Sequence, residues 1–326
     1  MIRRRELITL LAGAAACPIA AWGQQSGVPV IGYLNGGSPS AESLRTAAFL
    51  QGLKDAGYTA GENVKIEYRW AESRYERLAG MAADLVHRQV ALLAGAGTPA
   101  ALAAKAANPG IPIVFETAGD PIRLGLVTSL NRPDGNITGV TQLASELVAK
   151  RLGLLHDMIP TAKVVGLLLN PNDPRAETQA QDTQEAARAA GLQIHIVNAG
   201  TEAELDGAFQ TLVQAQAGTL IVGTSEFFSK RTEQIVTLAA RHALPAIYQY
   251  RSFAIAGGLV AYGASITDSY RQAGIYAGRV LKGEKPAELP VLRSTKFELI
   301  INLKTAQALG LTIPPGVLAI GDEVIE

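Results

Sequence analysis

Short apolar runs of the kind that form buried strands alternate with helix-like runs along nearly the whole of this 326-residue chain. The first apolar run covers residues 28–34, and an amphipathic pattern over residues 42–56 follows it. Alternating strands and helices form parallel sheets that helices cover on both faces. The sequence therefore predicts an α/β fold built from parallel sheets.

The strand pattern restarts halfway along the chain. Residues 30–35 end in Asn35, residues 164–170 end in Asn170, and a proline-containing turn follows each. We interpret this as two Rossmann-like parallel-sheet lobes joined by a multi-strand hinge. The predicted lobes cover residues 28–140 and 141–265. Residues 266–326 supply a crossing helix, a strand and a C-terminal segment, part of which we expect to complete the first lobe.

Three glycines lie where the chain is predicted to change lobes. They are Gly139, Gly258 and Gly263. Glycine accepts backbone conformations that other residues avoid, so these positions are the predicted hinge residues.

The loops after the predicted strands are rich in small hydroxyls, amides and glycine, with a few aromatic residues. Ligands of open α/β sheets bind at the carboxyl ends of the strands. This composition suits hydrogen bonding to a small polar ligand with aromatic walls around it. The candidate ligand-binding residues are Asn35, Gly36, Ser38, Gly97, Thr98, Thr117, Asp120, Asn170, Asn172, Ser225, Glu226, Phe227 and Tyr250.

The segment Gly-Ala-Gly-Thr-Pro-Ala at residues 95–100 has two interpretations. Its Gly-x-Gly-x-x-Ala spacing is typical of a dinucleotide-binding loop, and Glu116 follows about 20 residues later. It also predicts a strand-to-helix corner, with Thr98 as the helix cap and Pro99 in the first turn. Such a helix N-terminus binds small anions through free N–H groups. The alternative function is therefore an exported α/β enzyme that uses residues 95–100 as a nucleotide-binding loop.

Several other classes of function lack the residues they need. Lysine plus arginine and aspartate plus glutamate are balanced at 29 each, so we expect no nucleic-acid partner. One cysteine and four widely separated histidines offer no metal-ligand spacing. Ser225 is not in a Gly-x-Ser-x-Gly elbow, and no histidine ends a predicted strand. We therefore expect no catalytic residues, no metal and no cofactor.

Residues 1–25 are typical of a secretory signal peptide. A basic start with three consecutive arginines at 3–5 precedes a short apolar core and small residues near a plausible cleavage site. The arginines also resemble a twin-arginine signal, so the export route stays open. The residues around Cys17 fit a lipid-attachment site poorly. The sequence predicts a periplasmic protein.

Many short motifs, in order, resemble the ABC-transporter substrate-binding proteins of the TrpX-like group. They are NVKIEYRW at 63–70, GTPA at 97–100, IPIVF at 111–115, DP at 120–121, GNITG at 135–139, LKGEKP at 281–286 and KFELIIN at 296–302. The resemblance covers residues 28–326. It implies a type I periplasmic-binding fold whose lobes close on a small ligand and deliver it to a membrane permease. The ligand it implies is an amino acid, aromatic or branched, and we expect a monomer.

For an amino-acid ligand, the residues suggest separate roles. The helix N-termini at Thr98 and Ser38 would face its carboxylate. Asp120 or Glu226 would face its ammonium group. Phe227 or Tyr250 would form the wall around its side chain.

Overall fold

The computed structural model describes residues 27–107 and 110–326. The strands are β1 (Val30–Asn35), β2 (Lys65–Trp70), β3 (Leu92–Ala96), β4 (Ile113–Thr117), β5 (Ile137–Thr141), β6 (Val164–Leu169), β7 (Gln193–Asn198), β8 (Thr219–Val222), β9 (Ala246–Tyr248), β10 (Val260–Ala264), β11 (Leu292–Arg293), β12 (Phe297–Asn302) and β13 (Glu323–Ile325). The helices are α1 (Ser43–Asp55), α2 (Leu78–His87), α3 (Thr98–Ala107), α4 (Val148–Met158), α5 (Ala176–Ala189), α6 (Glu202–Gln214), α7 (Glu226–Lys230), α8 (Thr232–Arg241), α9 (Arg251–Ile255), α10 (Ile266–Leu281), α11 (Leu303–Ala308) and α12 (Pro315–Ala319).

The strands form two sheets, one in each lobe. The first has the order β11-β5-β4-β3-β1-β2, and the second has the order β13-β12-β10-β9-β8-β6-β7. The two α/β lobes with parallel sheets are therefore confirmed. One pairing differs from the expected all-parallel arrangement: β12 runs antiparallel to β10.

The chain passes between the lobes three times. It leaves the first sheet after β5, returns to the first lobe in α10 after β10, and crosses again between β11 and β12. Helix α10 packs against α1 and against β3, β4 and β5. The first lobe thus contains a helix and a strand from late in the sequence.

The carboxyl ends of neighbouring strands lie at one edge of each sheet. In the first sheet Asn35 is paired with Ala96, and Thr117 is paired with Thr141. In the second sheet Leu168 is paired with Val222. The loops that follow these strands therefore lie side by side, and they face the loops of the other lobe.

Helices α1 and α10 approach each other closely through glycine. A Cβ atom added at Gly274 would lie 2.1 Å from the Phe49 carbonyl oxygen, and one at Gly52 would lie 1.9 Å from the Arg271 carbonyl oxygen. This contact explains why α1 buries Phe49, Gly52 and Leu53. Leu44, an apolar residue in the first turn of α1, is 76% exposed.

The three predicted hinge glycines have packing roles in the structure. A Cβ atom at Gly139 would lie 2.1 Å from the Phe115 carbonyl oxygen in the neighbouring strand. One at Gly263 would lie 2.2 Å from the Gln249 carbonyl oxygen, and one at Gly258 would lie 2.8 Å from that of Phe253. Each glycine is therefore needed for close backbone approach, and a hinge role for these positions stays a prediction.

The signal peptide predicted for residues 1–25, including Cys17, lies outside the described residues. Within the described ranges, no helix combines the length and the apolar character needed to cross a membrane.

The glycine contact between α1 and α10 makes a testable prediction. We expect Gly274→Ala to lower the free energy of unfolding by about 1–3 kcal/mol, because the new methyl group meets a backbone carbonyl that cannot move aside. The measurement is calorimetric thermal unfolding of the purified protein.

Gly207→Ala in α6 is the matched control. No atom lies within 4 Å of an added Cβ there, so the change should stabilise the protein by about 1 kcal/mol through helix propensity alone. Equal effects of the two substitutions would contradict the packing argument.

Candidate ligand-binding cleft

A small chamber lies between the lobes, where the strand order of each sheet reverses. In the first lobe this point lies between the paired strands β1 and β3, and in the second it lies between the paired strands β6 and β8. The chamber has a volume of about 290 Å³. It is lined by Arg45, Gly97, Thr98, Glu116, Ala118, Arg175, Thr224, Ser225, Glu226, Ser229, Tyr250, Ile266 and Tyr270.

Glu226 of the second lobe inserts between two glycines of the first. A Cβ atom at Gly36 would lie 2.1 Å from Glu226 Oε2, and a Cβ atom at Gly97 would lie 2.1 Å from Oε1. Gly97 also has φ +93°, a conformation that side chains other than glycine rarely adopt. The two lobes are therefore in contact, and only glycine at these two positions leaves room for the carboxyl group.

Four carboxyl groups and two guanidinium groups lie in or beside the chamber. Glu42 contacts Arg45 at 3.0 Å, and Asp173 contacts Arg175 at 2.8 Å. Neither Glu116 nor Glu226 has a cation within ion-pair distance among the described residues. Oε2 of Glu226 is buried and makes no hydrogen bond. The chamber thus has an excess of acidic groups.

Burial changes the acidity of these two unpaired carboxyl groups. Burial, reinforced by the nearby Glu42, raises the pKa of Glu226 to about 8. Burial also raises the pKa of Glu116 to about 7, although a hydrogen bond from Gln142 opposes the shift. Both carboxyl groups therefore hold their protons more tightly than usual, although Arg45 and Arg175 in the same chamber oppose the shift.

Three buried polar side chains link the chamber to the first crossing segment. The Gln142 side chain donates to Glu116 Oε1 at 2.7 Å, and Gln249 donates to Gln142 Oε1 at 3.0 Å. Glu116 is the penultimate residue of β4, Gln142 follows β5, and Gln249 follows β9. This chain of hydrogen bonds joins the two lobes beside the hinge.

A larger cavity of about 710 Å³ adjoins the chamber. The two share Ala118, Arg175 and Thr224 in their walls. The larger cavity is mostly apolar, with Leu124, Val148, Leu167, Ile221 and Val222 in its lining, together with Asp120, Arg123 and Arg151. The cleft therefore has a small acidic compartment and a roomy apolar one.

Five of the residues proposed from the sequence line the small chamber: Gly97, Thr98, Ser225, Glu226 and Tyr250. Three others lie directly beside these: Gly36 contacts Glu226, the Thr117 hydroxyl lies 2.6 Å from that of Thr98, and Asn170 donates to the Ser225 hydroxyl at 2.9 Å. Asp120 lines the larger cavity, where its carboxylate accepts the Ile122 N–H at 2.8 Å.

The remaining four proposed residues neither line a cavity nor were placed beside a lining residue above. They are Asn35, Ser38, Asn172 and Phe227. Asn35 accepts the Gly37 N–H at 2.6 Å within its own turn, and Asn172 is exposed. Phe227 packs in the core of the second lobe, and the aromatic residues that line the chamber are Tyr250 and Tyr270. The structure thus gives these four positions local or packing roles.

The sequence analysis missed the arginines of the cleft. Arg45 lies in the first turn of α1, with its guanidinium 5.1 Å from the Tyr250 ring centre. Arg175 follows the loop after β6, and its guanidinium group donates to the Asp173 carboxylate and to the Thr224 carbonyl oxygen. Charged residues next to strand-end loops are the signal that could have identified both.

No group of three or more His, Cys, Asp or Glu side chains in the described parts of the chain could hold a metal ion. The cleft's donors and acceptors suit an organic solute instead.

Known proteins resemble this chain over most of its length. A tyrosine-binding protein of Clostridioides difficile (strain R20291) is 28% identical over 273 residues, which are 84% of this chain and 78% of that protein. A conserved domain protein from Vibrio cholerae is 25% identical, with a TM-score of 0.86 over 91% of this chain and 100% of that one. An ABC domain in complex with L-Trp, from Streptococcus pneumonia, is 27% identical, with a TM-score of 0.83 over 92% of this chain and 100% of that one.

These likenesses define the class as a two-lobed solute-binding protein with the type I periplasmic-binding fold. The model of the family described as "ABC transporter substrate binding protein" matches residues 37–325. The chain therefore belongs to that family, as the sequence motifs had implied.

The raised pKa of Glu226 makes the stability of the ligand-free protein depend on pH. Between about pH 4.5, the usual value, and about pH 8, the folded protein binds more protons than the unfolded chain. Stability should therefore fall as pH rises through this window. We expect Glu226→Gln to raise the free energy of unfolding at pH 8.5 by about 1–3 kcal/mol, because no ionised carboxyl group is then buried without a partner.

Thermal unfolding from pH 5 to pH 9 measures this effect. Glu62→Gln is the control, since that carboxyl group is exposed and precedes β2, at the end of the first sheet opposite the cleft. A Glu226→Gln variant that loses stability at pH 8.5 would contradict the proposed burial of an unpaired acid.

Proposed function

We propose that this protein is the receptor of an ABC importer and that it binds a small amine-bearing solute, an amino acid in particular, in the chamber between its lobes. The observation that supports this most is Glu226. Its carboxyl group is buried at the meeting point of the lobes, and one oxygen has no partner. Buried polar groups are nearly always hydrogen-bonded, so an unpaired carboxyl oxygen in a chamber calls for a donor from the solute.

The excess of acid in the chamber favours a cation. Because Arg45 and Arg175 are each neutralised by their own carboxylate, Glu116 and Glu226 remain to face the solute. An ammonium group offers three donors and one positive charge, which fits this pair. Asp120, the other residue suggested for this role, lies in the adjoining cavity and stays an alternative.

The carboxylate of an amino acid would lie at the start of α3. Thr98 begins that helix and lines the chamber, and the positive end of a helix favours an anion. Tyr250 offers an aromatic wall for the side chain. The names of the relatives, a tyrosine-binding protein and a domain in complex with L-Trp, support an aromatic amino acid as the first class to test.

Closure of the lobes would bury the solute. Contacts between the lobes already lie on opposite rims of the cleft: Arg123 contacts Asp182 at 2.9 Å, and Lys230 contacts Glu72 at 3.6 Å. A solute that binds both lobes favours the closed arrangement by its additional contacts. We propose that the closed form then docks on a membrane permease, and that the mature protein acts outside the cytoplasmic membrane.

The alternative of an enzyme with a nucleotide-binding loop at residues 95–100 is disfavoured by the same geometry. The open face of Gly97 is filled by the Glu226 carboxyl group. A pyrophosphate there would meet an acid instead of the free helix end that such loops provide. We therefore propose a receptor that releases its solute unchanged.

Binding assays on the mature protein test this proposal. We expect L-tyrosine, L-tryptophan or L-phenylalanine to raise the melting temperature by mass action. Phenethylamine keeps the ammonium group and should retain part of the effect, whereas 3-phenylpropionate lacks it and should lose most. Glu226→Gln should weaken binding of the amino acid about 10–100-fold, the usual worth of a hydrogen bond to a charged group.

Glu62→Gln, at the end of the first sheet opposite the cleft, should bind like the unchanged protein. Binding of 3-phenylpropionate as tight as that of L-phenylalanine would refute an amine site. Recovery of chemically altered amino acid after incubation would refute a receptor.

Proton release gives an independent measurement. An ammonium group favours the ionised form of Glu226, so its pKa should fall from about 8 when the solute binds. At pH 7 we therefore expect the complex to release up to one proton. Titration calorimetry in buffers with different ionisation enthalpies measures this, and Glu226→Gln should release fewer protons.

A further inference from the structure

The larger cavity contains a buried cation that the proposed amine site does not use. Arg151 lies on α4, lines the cavity and is 4% exposed. Among the described side chains and backbone, its guanidinium group makes one hydrogen bond, from Nη2 to the Ala144 carbonyl oxygen at 2.7 Å. Its Nε is buried without a partner, and no carboxylate of the described side chains lies within ion-pair distance.

This isolation separates Arg151 from the other arginines in the same cleft. Arg45 and Arg175 each contact a carboxylate at 3.0 Å or less, and Arg123 at the mouth contacts Asp182 at 2.9 Å. Buried charges are normally paired, because an uncompensated ion in the interior is costly. Burial indeed lowers the pKa of Arg151 to about 10. The protein thus keeps a destabilising group in the wall of a cavity.

The cavity around Arg151 can hold an organic group. The space between its walls, including the part open to solvent, is about 710 Å³. Val148, Leu167 and Ile221 offer an apolar surface, and the wall it shares with the acidic chamber joins the two compartments. A solute body that extends past Ala118 would lie on this apolar surface and end near the guanidinium group.

We propose that Arg151 binds a carboxylate at the far end of the solute, so that the solute class is an apolar-bodied molecule with a distal carboxylate. The guanidinium fork matches a carboxylate in plane and in spacing, and the pair is strongest where water is excluded. The Ala144 carbonyl holds the guanidinium group in place, just after the first crossing between the lobes. The Arg151 site deepens the proposed function, and it depends on that function only for the amine end of the solute.

Matched probes separate the two ends of the solute. 4-Methylbenzoate carries a carboxylate and no amine, and 4-methylbenzamide is its neutral isostere. We expect the unchanged protein to bind the benzoate about 10–100-fold more tightly than the benzamide, as measured by titration calorimetry at pH 7. Equal binding of the two, or no benzoate binding at millimolar concentration, overturns the proposal.

Substitutions then assign the preference to one side chain. Arg151→Met keeps an unbranched apolar stem without the guanidinium group and should abolish the preference for benzoate. Arg151→Lys keeps the charge without the fork and should retain part of it. Arg241→Met, at an exposed position on α8, should leave it unchanged. A preference that survives in Arg151→Met overturns the proposal, and if that variant does not fold, Arg151→Lys and the probe pair still decide the outcome.

The amine site is tested separately with 4-carboxy-L-phenylalanine and L-phenylalanine. The additional carboxylate should tighten binding about 10-fold or more in the unchanged protein and give no advantage in Arg151→Met. Glu226→Gln should weaken both amino acids while leaving the benzoate preference intact. If the unchanged protein prefers the benzoate but binds neither amino acid, the amine site alone is refuted. If it binds the amino acids but does not prefer the benzoate over the benzamide, the Arg151 site alone is refuted.

Discussion

The carboxyl group of Glu226, buried between Gly36 and Gly97, is the contact on which the cleft depends. It belongs to one lobe and lies against the backbone of the other, so its burial requires the lobes to be together. A side chain at either glycine would have to displace the Glu226 carboxyl group from this position. The same contact explains the acidity of the chamber, because water is excluded from a carboxyl group that has no cation beside it.

The two compartments of the cleft have opposite electrostatic character. Glu116 and Glu226 leave the small chamber short of positive charge, and Arg151 lacks a carboxylate within ion-pair distance among the described side chains, although Asp120 lies in the same larger cavity. Neither deficit is corrected by the protein itself, although Glu42 and Asp173 show that it pairs arginines elsewhere in the cleft. Such uncompensated groups reduce stability, and they are typical of sites where a ligand supplies the missing charge.

The sequence predicted the parts of this structure that depend on local pattern. Strand-to-helix corners such as Gly97-Thr98 and Ser225-Glu226 can be recognised because strands and caps are encoded by neighbouring residues. The contact of Glu226 with Gly36 joins residues about 190 positions apart, so no local pattern reports it. Arg151 did carry a signal, since Val148, Leu152 and Leu155 place it on the apolar face of its helix. The late strands β11 and β13 were missed because they are only two and three residues long.

The return of α10 to the first lobe has a consequence for how the chain folds. The core of that lobe needs the contact between Gly274 of α10 and Phe49 of α1, which are separated by more than 200 residues. Loop closure over such a distance is slow, and it cannot begin until most of the chain has been made. The first lobe is therefore the first to be synthesised but among the last to be completed. Until α10 has been made, the face of α1 that buries Phe49 and Leu53 lacks its packing partner.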